Sequence, residues 1–225
     1  MQFLKIVALV PMRHHSQRVP QKNFREMAGK PLYHHIMNTL DDCPEIDRIV
    51  VDTDSEIIIE GLRADFPHVM IIERPTALRA DNVPMNDILL YDIDNVPADL
   101  YLQTHSTNPL LRSETISEAI KSFHKQYKKY DSLFSVTRFQ TRLWDEYTKP
   151  VNHDPDILLQ TQDLPPIFEE NSCIYLFTAE KLRERKNRIG EKPMMYEIKP
   201  YEALDIDEES DFMIADIILK SRQNL

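Results

Sequence analysis

Short apolar runs alternate along this chain with longer segments in which apolar residues recur at helical spacing. Apolar runs of strand length occupy residues 4–10, 47–52, 69–72, 100–104, 132–137 and 172–177. Amphipathic runs of helix length occupy residues 31–40, 56–65, 85–94, 113–127, 179–186 and 210–220. Because strands that alternate with helices form parallel sheets covered on both faces, this pattern predicts an α/β fold with a mostly parallel central sheet.

The remaining segments are less regular. Residues 138–170 lose the periodicity and contain four prolines, so we expect them to form an irregular lobe on a single domain that spans residues 1–225. Residues 193–198 are predicted to be extended, and residues 203–207 to form a short final strand. Residues 53–56, which read T-D-S-E, are a suitable N-cap cluster for the helix that follows, and Ser113 is a suitable N-cap for the helix at 113–127.

The composition argues against several classes of protein. The 225 residues are 42% apolar, which is enough for a sizeable core, and the net charge of −10 argues against a broad nucleic-acid-binding face. The first apolar run is too short for a signal peptide, and no run reaches the ~18 residues of a membrane span. The chain has only two cysteines, Cys43 and Cys173, which suggest no disulfide framework and fit a reducing compartment. We therefore expect a cytoplasmic protein with neither a nucleic-acid nor a membrane partner.

The loop after the first apolar run is the strongest candidate site. Residues 11–23 combine cationic, hydroxyl and amide side chains, and such loops at the carboxyl end of a first strand commonly hold phosphorylated ligands. The chain has neither GxGxxG nor GxxxxGK[ST], so phosphate binding would rest on Arg13 and Lys22 as charged donors and on Ser16 and Asn23. The alternative is an ordinary solvated loop.

Two carboxylates form a second candidate. Asp205 and Asp207 would lie on one side of an extended segment, where like charges are unfavourable unless a cation joins them. Mg²⁺ fits such a pair, because it binds one or two carboxylates together with phosphate oxygens and water. The alternative is a solvated acidic turn before the last helix. A third polar segment follows residues 100–104, and either Gln103 or His105 could face a ligand there.

Several segments taken in order point to a known family. Residues 12–23 read M-R-H-H-S-Q-R-V-P-Q-K-N, and A-G-K-P-L follows at 28–32. V-D-T-D-S stands at 51–55, E-R-P at 73–75 before Asp81, T-N-P-L at 107–110, L-P at 164–165 before Asn171, and L-D-I-D at 204–207. Together they resemble the acylneuraminate cytidylyltransferases, which are the CMP-sialic acid synthetases and their relatives for other nonulosonic acids. The resemblance extends over nearly the whole chain.

The resemblance implies a Rossmann-like, three-layer nucleotidyltransferase fold whose extended lobe mediates dimerisation. It also implies transfer of CMP from CTP to the anomeric hydroxyl of a sugar acid, with Mg²⁺ as cofactor and a homodimer as the assembly. Arg13, Lys22, Asp205 and Asp207 would be catalytic, the two aspartates as metal ligands. The nucleotide would contact Arg13, Ser16, Lys22, Asn23, Asp81 and Asn86. The sugar would contact Gln103, His105 and Asn171.

Some family positions differ in this chain. The usual Gly-Gly of the first loop is His14-His15, which makes the loop bulkier. Two basic positions of the family are Thr161 and Glu169 here, so an acidic sugar would need another cation, such as Arg138, Arg142 or Lys149. Two alternatives to the cytidylyltransferase follow. One is a nucleotidylyltransferase for another sugar or nucleotide, and the other is a non-catalytic descendant that binds nucleotide or sugar.

Overall fold

A computed structural model describes residues 4–223, so the predicted domain ends at 1–3 and 224–225 lie outside the described residues. The strands are β1 (Ile6–Leu9), β2 (Glu26–Met27), β3 (Lys30–Pro31), β4 (Arg48–Thr53), β5 (Met70–Glu73), β6 (Leu100–Gln103), β7 (Ser132–Phe139), β8 (Ile167–Phe177) and β9 (Pro193–Glu197). The α-helices are α1 (Leu32–Asp41), α2 (Glu56–Asp65), α3 (Met85–Asn95), α4 (Ser113–Gln126), α5 (Ala179–Arg185) and α6 (Glu209–Gln223).

Seven strands form the central sheet in the order β5-β4-β1-β6-β8-β7-β9. Neighbours pair in parallel except at β8, which runs antiparallel to both β6 and β7. The predicted α/β fold with a mostly parallel sheet is confirmed. Because β8 alone is reversed, the carboxyl ends of the other six strands meet at one edge of the sheet.

Helices cover both faces of this sheet. Along β1, Ile6 and Ala8 pack with apolar side chains of α1, α2 and α4, whereas Val7 and Leu9 pack with α3 and α5. This alternation is the period of two that a strand buried on both faces requires. A third apolar cluster lies between α6 and the small β2–β3 hairpin. None of the helices within residues 4–223 combines the length and apolar character needed to cross a membrane.

Local chemistry explains most element boundaries. Ser55 caps α2 as expected, with its Oγ accepting a hydrogen bond from the backbone N–H of Ile58. Ser113 is the first residue of α4, and Arg112 occupies the N-cap position without a side-chain bond, so the predicted serine cap is wrong.

The predicted strand at 203–207 is also wrong. That segment has no sheet neighbour, and the Ile206 N–H bonds instead to the Thr107 carbonyl oxygen.

The irregular lobe is shorter than the sequence predicted. β7 continues to Phe139 and β8 begins at Ile167, and these two residues pair with each other. The irregular residues are therefore 140–166, at the tip of an antiparallel hairpin. Since β7 runs in the main direction of the sheet, its end places the lobe at the same edge as the other carboxyl ends.

Candidate active site

An open cleft of about 430 Å³ lies at the carboxyl edge of the parallel strands. Its walls come from residues 11–23 after β1, from residues 74–88 after β5, and from residues 105–107 after β6. Segments distant in sequence meet here because parallel strands end at a common edge. The predicted site residues that line the cleft are Arg13, Ser16, Lys22, Asn23, Asp81, His105 and Asp207.

The charge of the cleft is opposite to that of the chain. Within the described residues its lining includes two carboxylates, from Asp81 and Asp207, and the five cations Arg13, Arg18, Lys22, Arg74 and Arg79. The chain as a whole carries a net charge of −10. A local excess of guanidinium and ammonium groups favours an anionic ligand. The sequence pattern does not mark Arg18, Arg74 or Arg79 as site residues, although Arg74 begins the R-P segment that resembles the family.

The first loop keeps its shape without the family's glycines. Neither His14 nor His15 has a positive φ, so the loop does not need glycine at these positions. The His14 backbone N–H donates to Asp54 Oδ1 at 2.7 Å, and its ring Nδ1 lies 2.8 Å from Ser55 Oγ. His14 therefore anchors the loop to the start of α2, while His15 lines the cleft.

Asn23 fastens the loop from the other side. Its Nδ2 donates to the Arg13 carbonyl oxygen at 2.7 Å, and its Oδ1 accepts from the Ser106 hydroxyl at 2.8 Å. Asn23 is buried by these contacts, so its first role is to hold the loop against the segment after β6. Ser16 is half-buried on the cleft wall.

Asp81 joins two walls of the cleft. Its carboxylate accepts from Arg13 Nη1 and from Gln17 Nε2, each at 2.7 Å. Asp81 can therefore influence a bound anion through the position of Arg13. Asn86 lies in the first turn of α3, where its Oδ1 accepts from the Arg188 backbone N–H at 3.2 Å. It is not among the residues that line the cleft.

Lys22 reaches the acidic pair across the cleft. Its Nζ donates to the Ile206 carbonyl oxygen and lies 4.0 Å from Asp207 Oδ1. Asp207 also accepts from Arg18 Nη2 at 2.5 Å. Burial lowers the pKa of Lys22, and the carboxylates of Asp205 and Asp207 oppose that shift.

Asp205 is the more buried member of the pair. Burial raises the pKa of its carboxyl group and the negative charge of Asp207 adds to that shift, whereas a hydrogen bond with Thr107 opposes it. Its Oδ1 is buried without a hydrogen-bond partner within the described chain. Such an orphaned oxygen beside a second carboxylate fits a divalent cation. Within the described residues, Asp205 and Asp207 are not part of a group of three or more candidate metal ligands.

A buried ion pair supports the wall after β5. The Arg74 Nε donates to Asp52 Oδ1, and both residues are at most 4% exposed. Asp92 on α3 lies beside them, also buried. Burial and the charge of Asp52 raise the pKa of Asp92 to about 8, so Asp92 is mostly protonated at neutral pH. The buried positive charge of Arg74 is therefore balanced mainly by one negative charge, that of Asp52.

This arrangement predicts a pH-dependent effect of Asp92→Asn. The contribution of Asp92 to stability should fall as pH rises from about 4 to 8, because the unfolded chain releases the Asp92 proton near 3.8 while the folded protein keeps it. The neutral amide of the variant does not titrate, so the variant avoids this loss of stability, which is up to about 1.4 kcal/mol per pH unit. The stability of the variant relative to wild type, measured by urea denaturation, should rise between pH 5 and 8 and level off above. The exposed Asp87→Asn on the same helix is the control, and an equal rise there would contradict the assignment.

The predicted substrate residues after β6 lie at different depths. His105 lines the cleft, whereas Gln103 is fully buried behind it and contacts His105 through its amide. Asn171 lies in a bulge of β8, where its Oδ1 accepts from the Ser135 hydroxyl at 2.6 Å and its Nδ2 donates to Thr137 Oγ1 at 3.0 Å. Neither Gln103 nor Asn171 lines the cleft, so any contact of theirs with a ligand stays a prediction.

Comparison with known proteins identifies the family. The cytidylyltransferase family model matches residues 7–220, so the chain belongs to the cytidylyltransferase family. N-acylneuraminate cytidylyltransferase A of Danio rerio is 28% identical over 218 residues, which are 94% of this chain and 50% of that protein. CMP-N,N'-diacetyllegionaminic acid synthase of Legionella pneumophila is 27% identical over 238 residues, with 98% of both chains covered. The chain thus spans about half the length of some curated relatives and nearly all of another.

Solved structures agree on the fold. The CMP:2-keto-3-deoxy-manno-octonic acid synthetase complexed with CTP has a TM-score of 0.72 at 14% identity, with 98% of this chain and all of that chain covered. The 4-diphosphocytidyl-2C-methyl-D-erythritol synthase of Anaerococcus prevotii has a TM-score of 0.66, also at 14% identity, with 96% of both chains covered. These likenesses show that the chain shares the fold of these two synthases.

Proposed function

We propose that this protein is a cytidylyltransferase that transfers CMP from CTP to the anomeric hydroxyl of a nonulosonic acid and releases pyrophosphate. The observation that carries the proposal is the cationic cleft at the carboxyl edge of the sheet, in a chain that is otherwise acidic. Membership of the cytidylyltransferase family supports CTP as the nucleotide. The names of the relatives, which act on N-acylneuraminate and diacetyllegionaminic acid, support a nonulosonic acid as the acceptor.

The reaction asks the protein mainly to position charges. The sugar hydroxyl attacks the α-phosphorus, a new oxygen–phosphorus bond forms, and the bond to the pyrophosphate oxygen breaks. Arg13 and Lys22 would neutralise the triphosphate and the departing pyrophosphate, and Ser16 would donate a hydrogen bond to a phosphate oxygen. Arg18 could join them, because a phosphate would compete with Asp207 for its guanidinium.

Asp205 and Asp207 would hold Mg²⁺. When bound, the ion supplies positive charge that polarises the phosphate and lowers the pKa of a coordinated hydroxyl. The donors would be Asp205 Oδ1, which is buried, lies outside the residues that line the cleft and has no hydrogen-bond partner in the described chain, and the exposed carboxylate of Asp207, which lines the cleft. Lys22 lies beside both carboxylates and keeps them next to the cationic loop.

We further propose a homodimer formed through the lobe at residues 140–166. The lobe exposes large apolar side chains, including Trp144, Tyr147 and Leu158, of which Leu158 is 88% exposed. It emerges from the same sheet edge as the cleft, so a partner bound there would lie close to the site. The cations proposed for the sugar carboxylate include Arg142, which donates to the Leu159 carbonyl oxygen within the lobe. Light scattering should give twice the mass of the chain, and a monomer would contradict the dimer.

Nucleotide titration separates this proposal from its alternatives. Isothermal titration with Mg²⁺ should show CTP binding more tightly than UTP, ATP or GTP, and Lys22→Met should weaken CTP binding by at least about tenfold through loss of a charged contact. Lys30→Met is the matched control, because the half-buried Lys30 lies on the β2–β3 hairpin and does not line the cleft. Tighter binding of another nucleotide would favour the alternative nucleotidylyltransferase. CTP binding without pyrophosphate release on any sugar acid would favour the non-catalytic descendant.

A further inference from the structure

Arg188, which follows α5, contacts Gln103, the residue that lies behind the cleft wall. Its guanidinium stacks on the ring of Tyr175 at 3.6 Å from the centroid, which fixes its plane. Its Nη1 donates to Gln103 Oε1 at 2.6 Å. Gln103 is fully buried, so this charged donor is a strong constraint on its amide.

The orientation of the Gln103 amide is determined by two neighbours. Its oxygen faces the Arg188 donor, and its Nε2 donates to the Thr104 carbonyl oxygen at 3.0 Å. A flipped amide would place two donors together at Arg188 and two acceptors together at Thr104. Both contacts therefore exclude the flipped amide.

The fixed amide determines the tautomer of His105. Gln103 Nε2 lies 3.0 Å from His105 Nε2, and since the amide nitrogen is a donor, the ring nitrogen must accept. A neutral imidazole that accepts at Nε2 carries its proton on Nδ1. No described residue makes a hydrogen bond to Nδ1, and His105 lines the cleft.

The surroundings of His105 also favour a neutral imidazole ring. Burial lowers the pKa of His105 to about 3, and the positive charges of Arg188 and Lys22 contribute to the shift. A protonated ring would also place an Nε2–H against the Gln103 amide donor. His105 is thus an uncharged group with a single available donor.

We propose that Arg188 and Gln103 are positioning residues that hold His105 in its Nδ1–H tautomer, so that His105 donates a hydrogen bond to an acceptor oxygen of the sugar substrate. The binding half of this proposal rests on the proposed function. The tautomer half rests on the hydrogen-bond chain alone, so the two can be tested separately.

The tautomer can be measured on the whole protein by long-range ¹H–¹⁵N correlation NMR at pH 7. The His105→Asn variant identifies the His105 signals among the eight histidines by their loss. Wild type should show a protonated Nδ1 and an unprotonated Nε2. Gln103→Glu, which presents only acceptor oxygens, should move the proton to Nε2. Arg188→Met should give a mixture of tautomers, whereas Arg188→Lys retains a donor to Gln103 and should keep the wild-type form.

Steady-state kinetics test the binding half. Gln103→Glu should raise the KM for the sugar acid about tenfold, as expected for one lost hydrogen bond, with little change in the KM for CTP. Arg188→Met should act in the same direction, and it provides a second variant if Gln103→Glu does not fold. An Nε2–H tautomer or a charged ring in wild type would overturn the proposal, as would an unchanged tautomer in both variants. A changed tautomer with an unchanged sugar KM would overturn the binding half.

If the protein turns over no sugar acid but the tautomers of wild type and variants are as predicted, the proposed function is wrong. The positioning of His105 by Arg188 and Gln103 is then still supported.

Discussion

Asp205→Asn should reduce CTP-dependent pyrophosphate release by more than about a hundredfold, because it removes the charge of a proposed ligand to Mg²⁺. The fold should tolerate the change. Burial raises the pKa of Asp205, so at neutral pH its ionised carboxylate is less favourable inside the protein than in water. The neutral amide removes that penalty, and the melting temperature should stay equal or increase. Loss of activity combined with retained or increased stability would distinguish a functional carboxylate from a structural one.

The matched control for Asp205→Asn is Glu208→Gln, which makes the same charge change three residues later at an exposed position. It should retain most of the activity. If Asp205→Asn kept pyrophosphate release within a few-fold of wild type, Asp205 would not be a metal ligand. If Glu208→Gln lost activity equally, the effect would come from the net charge of the acidic segment.

Arg74→Met should destabilise the protein by about 3–5 kcal/mol, because it leaves a buried carboxylate without its partner. The Arg74 Nε donates to Asp52, both groups are buried, and Asp92 lies beside them. The same substitution removes a cation from the cleft, so CTP binding should weaken as well. Urea denaturation and nucleotide titration measure the two effects independently.

Two controls sharpen the Arg74→Met prediction. Arg79→Met removes a neighbouring cleft cation whose Nη2 lies 3.7 Å from the exposed carboxylate of Glu73 and whose Nε donates to the Arg74 carbonyl oxygen at 2.8 Å, so it should cost about 1 kcal/mol. The double variant Arg74→Met/Asp52→Asn should recover part of the lost stability, since it removes the uncompensated charge. A cost below about 1 kcal/mol for Arg74→Met alone would contradict the described ion pair.

Much of the fold could be predicted because its signals are local. The apolar alternation and the Ser55 cap place α2 at the residues expected, Glu56–Asp65. The position of residues 11–23 after β1 also placed Arg13 and Lys22 at the carboxyl edge of the sheet, where the ends of parallel strands meet. These predictions needed only periodicity and the direction of the strands.

Other features depend on contacts that no local pattern encodes. Residues 203–207 read as a strand, but Ile206 packs in the cluster beneath α6 and has no strand neighbour. Asn171 matched a family motif, yet its amide is used within the β8 bulge, where Ser172 adopts a positive φ of 60°. Arg74 was missed as a site residue because its partner Asp52 lies on another strand and Asp92 on a helix.

The most direct measurement of the central claim is detection of the product itself. Wild-type protein incubated with CTP, Mg²⁺ and a panel of nonulosonic acids, with neutral sugars as controls, should form a CMP-sugar and pyrophosphate in equal amounts, as measured by ³¹P NMR and mass spectrometry. Chelation of Mg²⁺ and the Asp205→Asn substitution should each abolish this product. Absence of a CMP-sugar with every acid in the panel, in a preparation that is folded and binds CTP, would contradict the account.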